Sequence, residues 1–340
     1  MNNSIIKQIA HEYEIKRNKA IEEAAIRKRE LMAVNPRLQE IEDEIAKNSF
    51  EITKQLIVAG EKEKASLLQK LKKQNSALIK EKDSFIKNLS KDSNLFNPHF
   101  ECKLCKDTGY IQKGGETVMC SCFKQRIFDI AYNKSNMGNL ERENFSRFDL
   151  KVFSDKTDKE KYNSTVSPRE NILLIKEKAE TFINNFDDPE EKNLIFTGST
   201  GTGKTFMINC ISNELLKQGY TVLYQTAPVM FDEILNEKFN REGSFNIYEN
   251  ILNVDLLIID DLGTENITDS KITELFTIIN TRLLNQNHKI TKTIISTNLN
   301  VDELFKTYTT RIGSRLAGYY RFLRFYGDDL RFTKSKKSKE

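Results

Sequence analysis

The chain has 340 residues, 38% hydrophobic and 30% charged, which suits two domains with buried cores. A net charge of +4 argues against a protein that coats nucleic acid through bulk charge, and the excess is local: residues 1–90 hold 18 Lys and Arg against 14 Asp and Glu, leaving 35 against 35 in the remainder. No stretch of apolar residues has the length of a membrane span and the N-terminus lacks a leader pattern, so the expectation is a cytoplasmic protein whose clustered cysteines stay reduced and serve metal or redox chemistry.

From Ser4 to about Leu89 the chain is charge-rich, with apolar residues at helical spacing such as Ile41/Ile45 and Leu67/Leu71. Breaks at Asn35-Pro36 and Gly60 predict three helices, in an arm spanning 1–95. The apolar stripe is thin, and two readings stand: a solvated helical hairpin, or a docking surface for a partner protein.

Residues 96–135 carry "CKLCKDTGYIQKGGETVMCSC" and a following helix around Phe123–Tyr132. Cys102-x-x-Cys105 and Cys120-x-Cys122 are two ligand pairs, and strands at Tyr110-Ile111 and Thr117–Met119 joined through Gly114-Gly115 would bring them together. If Cys120 and Cys122 lie on a strand, both side chains face one ion. The expectation is a closed, structural zinc site of four cysteines, which stabilises a module too small to make its own core. His99 as a substitute ligand and a redox dithiol are the alternatives. Cys210 reads as core packing.

A polar linker over 136–170 leads to a region of different texture at 171–332. Strands at Leu194–Thr197, Val222–Gln225, Leu256–Asp260, Thr293–Thr297 and Phe322–Tyr326 alternate with helical segments, the pattern of an α/β fold with a parallel five-stranded sheet covered on both faces. Residues 333–340 read as a basic tail.

After the first of these strands comes Gly198-Ser199-Thr200-Gly201-Thr202-Gly203-Lys204-Thr205, opening a helix. That context makes it a phosphate-binding loop: glycines let backbone N–H groups face the phosphates, and the helix N-terminus adds positive charge. Lys204 would reach the β- and γ-phosphates of ATP and Thr205 would offer its hydroxyl to Mg²⁺. The strand "VDLLIIDDLG" ends in Asp260, which would hold Mg²⁺ through water, and Asp261, which would orient or deprotonate the attacking water. Asn298, after "TIIST", either holds that water or senses the γ-phosphate, or is a turn-forming residue. Arg311 and Arg315 share one helix face, either solvated or serving a neighbouring subunit's nucleotide. "YYRFLRFYG" interleaves aromatics with Arg321 and Arg324, as single-strand binders do, but also as a core strand with one basic face does.

Residues 171–332 resemble the core of AAA+ P-loop ATPases. Gly198–Thr205 is similar to Walker A, Asp260-Asp261 to Walker B, Asn298 to sensor 1 and Arg315 to the arginine finger, with Arg311 as second candidate. More narrowly, "LLIIDDLG", "STN", "RIGSRL", "FYGDDLR" and the cysteine module resemble the bacterial replicative-helicase loaders of the DnaC/DnaI type, relatives of the IstB transposition ATPases. The resemblance implies an ATPase using ATP, Mg²⁺ and Zn²⁺. It also implies three partners: the hexameric replicative helicase, single-stranded DNA and further copies of itself, met through the ATP site. An IstB-like transposition helper and a zinc-dependent nucleotide-binding adaptor with negligible turnover are the alternatives. Two departures matter. Asp261 stands where most AAA+ enzymes have Glu, which implies slow, switch-like hydrolysis. Few residues follow the fifth strand, so the expectation is that a lid-borne arginine is absent, with Arg331 as the candidate to replace it.

Overall fold

The computed structural model describes residues 2–58, 61–89, 96–130, 142–239, 247–286 and 288–331. Gly60, the 333–340 tail and part of the 136–170 stretch lie outside these residues. The chain forms two compact units, one of residues 10–117 and one of residues 1–9 with 118–340.

Three helices, α1 (Asn2–Val34), α2 (Pro36–Val58) and α3 (Glu61–Leu89), account for most of residues 2–89. Pro36 opens α2, where its missing N–H costs nothing. Leu38, Ile41 and Ile52 of α2 and Ile86 of α3 are buried, in agreement with a narrow stripe. Charge does much of the joining: Glu42 of α2 receives Lys28 of α1 at 2.8 Å and Lys82 of α3, and Arg37 of α2 meets Glu81 of α3 at 2.9 Å. Asn48 of α2 and Asn75 of α3 add a polar contact at 3.0 Å. Among the described residues no helix is long and apolar enough to cross a membrane.

Strands β1 (Tyr110–Lys113) and β2 (Glu116–Met119) form a two-stranded sheet, followed by α4 (Ser121–Phe128). Gly114 and Gly115, at φ 63° and 89°, supply the two left-handed residues that a two-residue hairpin turn demands. Cys120 is the N-cap of α4 and Cys122 lies in its first turn. The expected strand placement of this pair is therefore corrected: the chain turns into a helix at Ser121, one residue after extended Cys120.

Residues 145–153 lie within the stretch read as a linker, yet Phe145, Phe148, Leu150, Val152 and Phe153 join the core beside α6. Next come α5 (Lys159–Tyr162) and α6 (Pro168–Asn184). The latter starts three residues earlier than the expected core boundary, because Ser167 and Glu170 form a capping box around Pro168. The core continues as β3 (Asn193–Thr197), α7 (Lys204–Lys217), β4 (Val222–Thr226), α8 (Ala227–Phe239), α9 (Ile247–Asn253), β5 (Leu256–Leu262), α10 (Asp269–Asn285), β6 (Lys292–Thr297), α11 (Val301–Thr307), α12 (Thr310–Tyr319) and β7 (Tyr320–Arg324).

The five expected core strands are present, the last shifted two residues toward the N-terminus. They form one parallel sheet in the order β4-β5-β6-β3-β7. Strands β3 to β6 are buried on both faces, as continuous apolar runs such as "LLII" require, while the edge strand β7 is partly exposed. One face is covered by α6 and α7 through Phe182, Met207, Ile208 and Ile211; the other by α8, α10 and α12 through Phe231, Leu275, Ile278 and Leu316. Cys210 is fully buried and its thiol is pushed up to about 12 by burial, so it is a core residue, as expected.

At the amino ends of the strands, the fully buried Arg282 of α10 binds Thr293 Oγ1 at 2.9 Å and the carbonyls of Ile251, Val254 and Lys292 at 2.6, 3.0 and 2.6 Å. It ties α9, α10 and β6 together away from the chemistry, which gathers at the carboxyl ends.

Candidate nucleotide site

β3 is apolar and fully buried up to Thr197, and the chain then turns through the glycine-rich loop into α7. Gly203, at φ 100°, is the N-cap of α7, so Lys204 begins the helix and the loop's N–H groups converge at its N-terminus. Gly198 has φ 138°, and a Cβ there would lie 2.0 Å from the Phe325 carbonyl oxygen. Only glycine fits. Thr202 is buried and its hydroxyl donates to the Ser199 carbonyl at 2.8 Å, closing the loop on itself, whereas Ser199, Thr200 and Thr205 are exposed.

The Lys204 ammonium donates to the carbonyls of Gly198 at 2.5 Å and Ser199 at 2.9 Å and to Asn298 Oδ1 at 2.8 Å. Asn298 follows β6, next to β3 in the sheet, which is why residues 94 apart in sequence meet. Asn298 therefore stands beside the loop, on the Lys204 ammonium. Burial lowers the Lys204 pKa, opposed by the charges of Asp260 and Asp261 and assisted by Arg331. An arriving polyphosphate would favour the charged form.

β5 carries the two aspartates. Asp260 is buried: its Oδ1 accepts the Asp261 N–H at 3.0 Å and its Oδ2 accepts the Tyr224 hydroxyl from neighbouring β4. Between Ile259 and Leu262 the pairing with β6 shifts register, and Asp261 sits at φ 56°. This bulge aims consecutive carboxylates differently, leaving Asp261 partly exposed. A left-handed non-glycine residue at a strand end is the kind of local strain that clusters at functional sites. Burial, then the Asp260 charge, raises the Asp261 pKa, while Lys204 and Arg331 pull it down. A carboxylate with raised affinity for a proton is what a general base needs.

Beyond the bulge, buried Glu265 accepts the Gly263 N–H at 2.7 Å through Oε2 and the hydroxyl of buried Tyr308 through Oε1. Tyr308 ends α11, just before α12, the helix bearing Arg311 and Arg315. Both arginines do lie on that helix; Arg311 is exposed and the Arg315 Nε donates to Asn280 of α10 at 3.2 Å. Among the described residues no hydrogen bond or ion pair joins either to the phosphate loop.

After β7 the chain returns across the loop. Phe325 N–H donates to the Thr197 carbonyl at 2.7 Å, Leu330 N–H to the Gly201 carbonyl at 2.9 Å, and the Asp329 carboxylate lies against Gly201. This brings Arg331 into electrostatic range of Lys204 and Asp261. On β7, Arg321 pairs with Glu191 at 3.1 Å while Arg324 is exposed beside the Tyr326 ring. Tyr224, Glu265, Tyr308 and Asp329 were missed in sequence. The signals available were Tyr224 inside the second expected strand and the "FYGDDLR" motif that holds Asp329; side-chain partners across strands are invisible in one chain's pattern.

The Sγ atoms of Cys102, Cys105, Cys120 and Cys122 all lie within 4.8 Å of one another, with no disulfide, and His99 is not among them. Tetrahedral zinc with Zn–S near 2.3 Å separates its sulfurs by about 3.8 Å, so the donor set fits. Asp107, at φ 56°, accepts the N–H groups of Glu101 and Cys102 at 2.9 and 2.8 Å, shaping the turn around the first pair.

Comparison with known proteins bears on the core. The family described as IstB-like ATP binding protein matches residues 151–338. The replicative helicase loader DnaC of Escherichia coli K12 is 30% identical over 208 residues, 60% of this chain and 81% of that protein. A structure of AMPPCP-bound DnaA from Aquifex aeolicus covers 50% of this chain and 51% of its own at 26% identity, with a TM-score of 0.41. A crystal structure of DnaI covers 57% and 93% at 23% identity, with a TM-score of 0.43. A family match over more than half the chain, on a parallel sheet with a phosphate loop and two aspartates at its carboxyl edge, has one meaning: this chain belongs to the IstB-like ATP-binding family, as an AAA+ ATPase of the DnaC type.

Proposed function

We propose that this protein loads the replicative DNA helicase during initiation of DNA replication, gripping the hexameric helicase through its N-terminal region and answering to ATP and single-stranded DNA through the core. The observation that carries this reading is the match along four fifths of a replicative helicase loader. The organisation we propose is an arm (1–95), a zinc module (96–135), a linker (136–170), the ATPase core (171–332) and a basic tail (333–340), in a cytoplasmic protein.

In this reading the Gly198–Thr205 backbone cradles the phosphates of ATP and Lys204 exchanges its three oxygen partners for phosphate oxygens. Thr205 and Asp260 hold Mg²⁺, which neutralises charge on the phosphates when bound. Asp261 takes a proton from water that Asn298 helps orient. Arg315, or Arg311 beside it, serves the nucleotide of a neighbouring copy, so that ATP favours self-association. Four thiolates hold Zn²⁺ and rigidify the module. Support for a finger in trans is that neither arginine contacts its own loop among the described residues.

The purified protein would be mixed with its host's replicative helicase under ATP and under ADP, and the complexes weighed by native mass spectrometry. A defined ATP-sensitive complex is expected, with one zinc per chain, both lost on changing Cys102 and Cys105 to Ser. Absence of any complex under either nucleotide would sink the loader reading in favour of a transposition-type ATPase.

A further inference from the structure

A tyrosine stands in contact with the carboxylate at the centre of the site. Tyr224 of β4 pairs with Ile258 of β5, and Thr226 pairs with Asp260, so Tyr224 and Asp260 are diagonal neighbours on one face of the sheet. The ring of Tyr224 belongs to the apolar cluster with Phe196 and Met207, which a phenylalanine would fill equally well. Its hydroxyl reaches a buried, charged group, Asp260 Oδ2. Oδ1 of the same carboxylate takes the Asp261 N–H at 3.0 Å. Each oxygen thus has one protein donor and keeps a lone pair for other ligands. Both donors are fixed by the sheet, one by the backbone bulge and one by a packed ring, so the carboxylate is held at both oxygens. Hydrogen bonds of this charge-assisted kind are the strong ones.

We propose that Tyr224 is a positioning residue for magnesium: it locks the Asp260 carboxylate in the orientation that receives the Mg²⁺ of Mg-ATP. The inference rests on the reading of Asp260 as the magnesium carboxylate. Tyr224 touches neither nucleotide nor water in this role. It acts through Asp260, in the way that partners of ligating carboxylates set metal affinity elsewhere.

The test uses the full chain and a fluorescent ADP, whose binding is titrated with Mg²⁺ and, separately, measured in EDTA. Tyr224→Phe is expected to leave the affinity in EDTA unchanged and to raise the Mg²⁺ concentration at half-effect by roughly tenfold. Asp260→Asn should abolish the Mg²⁺ effect, and adding Tyr224→Phe to it should change nothing more. A Tyr224→Phe protein that titrates like wild type while Asp260→Asn does not overturns the inference and leaves the nucleotide site standing. If Asp260→Asn also titrates like wild type, the assignment of Asp260 fails instead. Loss of affinity in EDTA on Tyr224→Phe would mark a structural role and equally overturn the proposal. Circular dichroism melts check folding, with Tyr224→Met as the second hydroxyl-free variant.

Discussion

Replacing Glu265 by Ala should uncouple the turn that carries Asp261 from the helix that carries the arginines. Glu265 is 6% exposed and Tyr308 3%, so the Gly263 N–H and the Tyr308 hydroxyl would both lose their acceptor in a place water reaches poorly. Each orphaned buried donor costs about 1–3 kcal/mol. Removing the buried carboxylate returns part of its desolvation cost, so the net loss should be about 2–4 kcal/mol. For a domain of this size that lowers the melting midpoint by roughly 4–16 °C. Tyr308→Phe removes one of the two bonds and should cost about 2 kcal/mol, while the double variant should cost less than the sum by about 1–3 kcal/mol, as partners in one network do. Urea unfolding followed by circular dichroism gives the cycle, and ATP turnover should fall more than nucleotide affinity because Asp261 sits two residues before Gly263. A coupling below about 0.5 kcal/mol, the ordinary error of additivity, would refute the clamp.

Two further outcomes are expected. Asp261→Asn should stop ATP turnover yet raise the melting midpoint at neutral pH: the folded-state pKa of Asp261 is raised by burial and by Asp260, so folding disfavours its ionised form. That penalty is absent below the unfolded pKa of about 3.9 and develops as pH rises through the folded value, so the gain should vanish in acid; no gain at neutral pH would contradict it. Asn tolerates φ 56° as well as Asp does. Gly219→Ala, at φ 93° with nothing within 4 Å, should cost about 1–2 kcal/mol and keep ATP binding. Gly198→Ala meets a backbone oxygen at 2.0 Å and should lose ATP binding altogether; equal melting points and affinities for the two variants would show that this contact is not what confines the loop.

Much of the site was legible because it is local. A glycine loop between an apolar strand and a helix, and two aspartates ending an apolar run, are patterns of neighbours whose geometry the backbone settles within a few residues. The hairpin through Gly114-Gly115 was legible for the same reason. Cys120 and Cys122 were placed on a strand because a period of two is compatible with their spacing; the onset of α4 at Ser121 depends on Phe123, Ile127 and Phe128 finding a core, and no short window shows that. Residues 145–153 looked like linker because their aromatics are scattered, and they join the core only through partners distant in sequence, such as Phe206 of α7 against Phe148.

The amino-acid order by itself therefore determined the chemistry on offer: which strands form, where the glycine-rich loop stands, which carboxylates stand at the sheet's edge and which four thiols can meet. Tertiary structure alone decided how those groups are held. The order β4-β5-β6-β3-β7 sets β6 beside β3 and so delivers Asn298 to Lys204. It sets β4 beside β5 and so delivers Tyr224 to Asp260. It leaves β7 at the edge next to β3, from which the chain runs back over the phosphate loop and brings Asp329 and Arg331 there. Hydrophobic periodicity states that a strand is buried but not beside which other strand, because every parallel order of five such strands buries the same apolar runs.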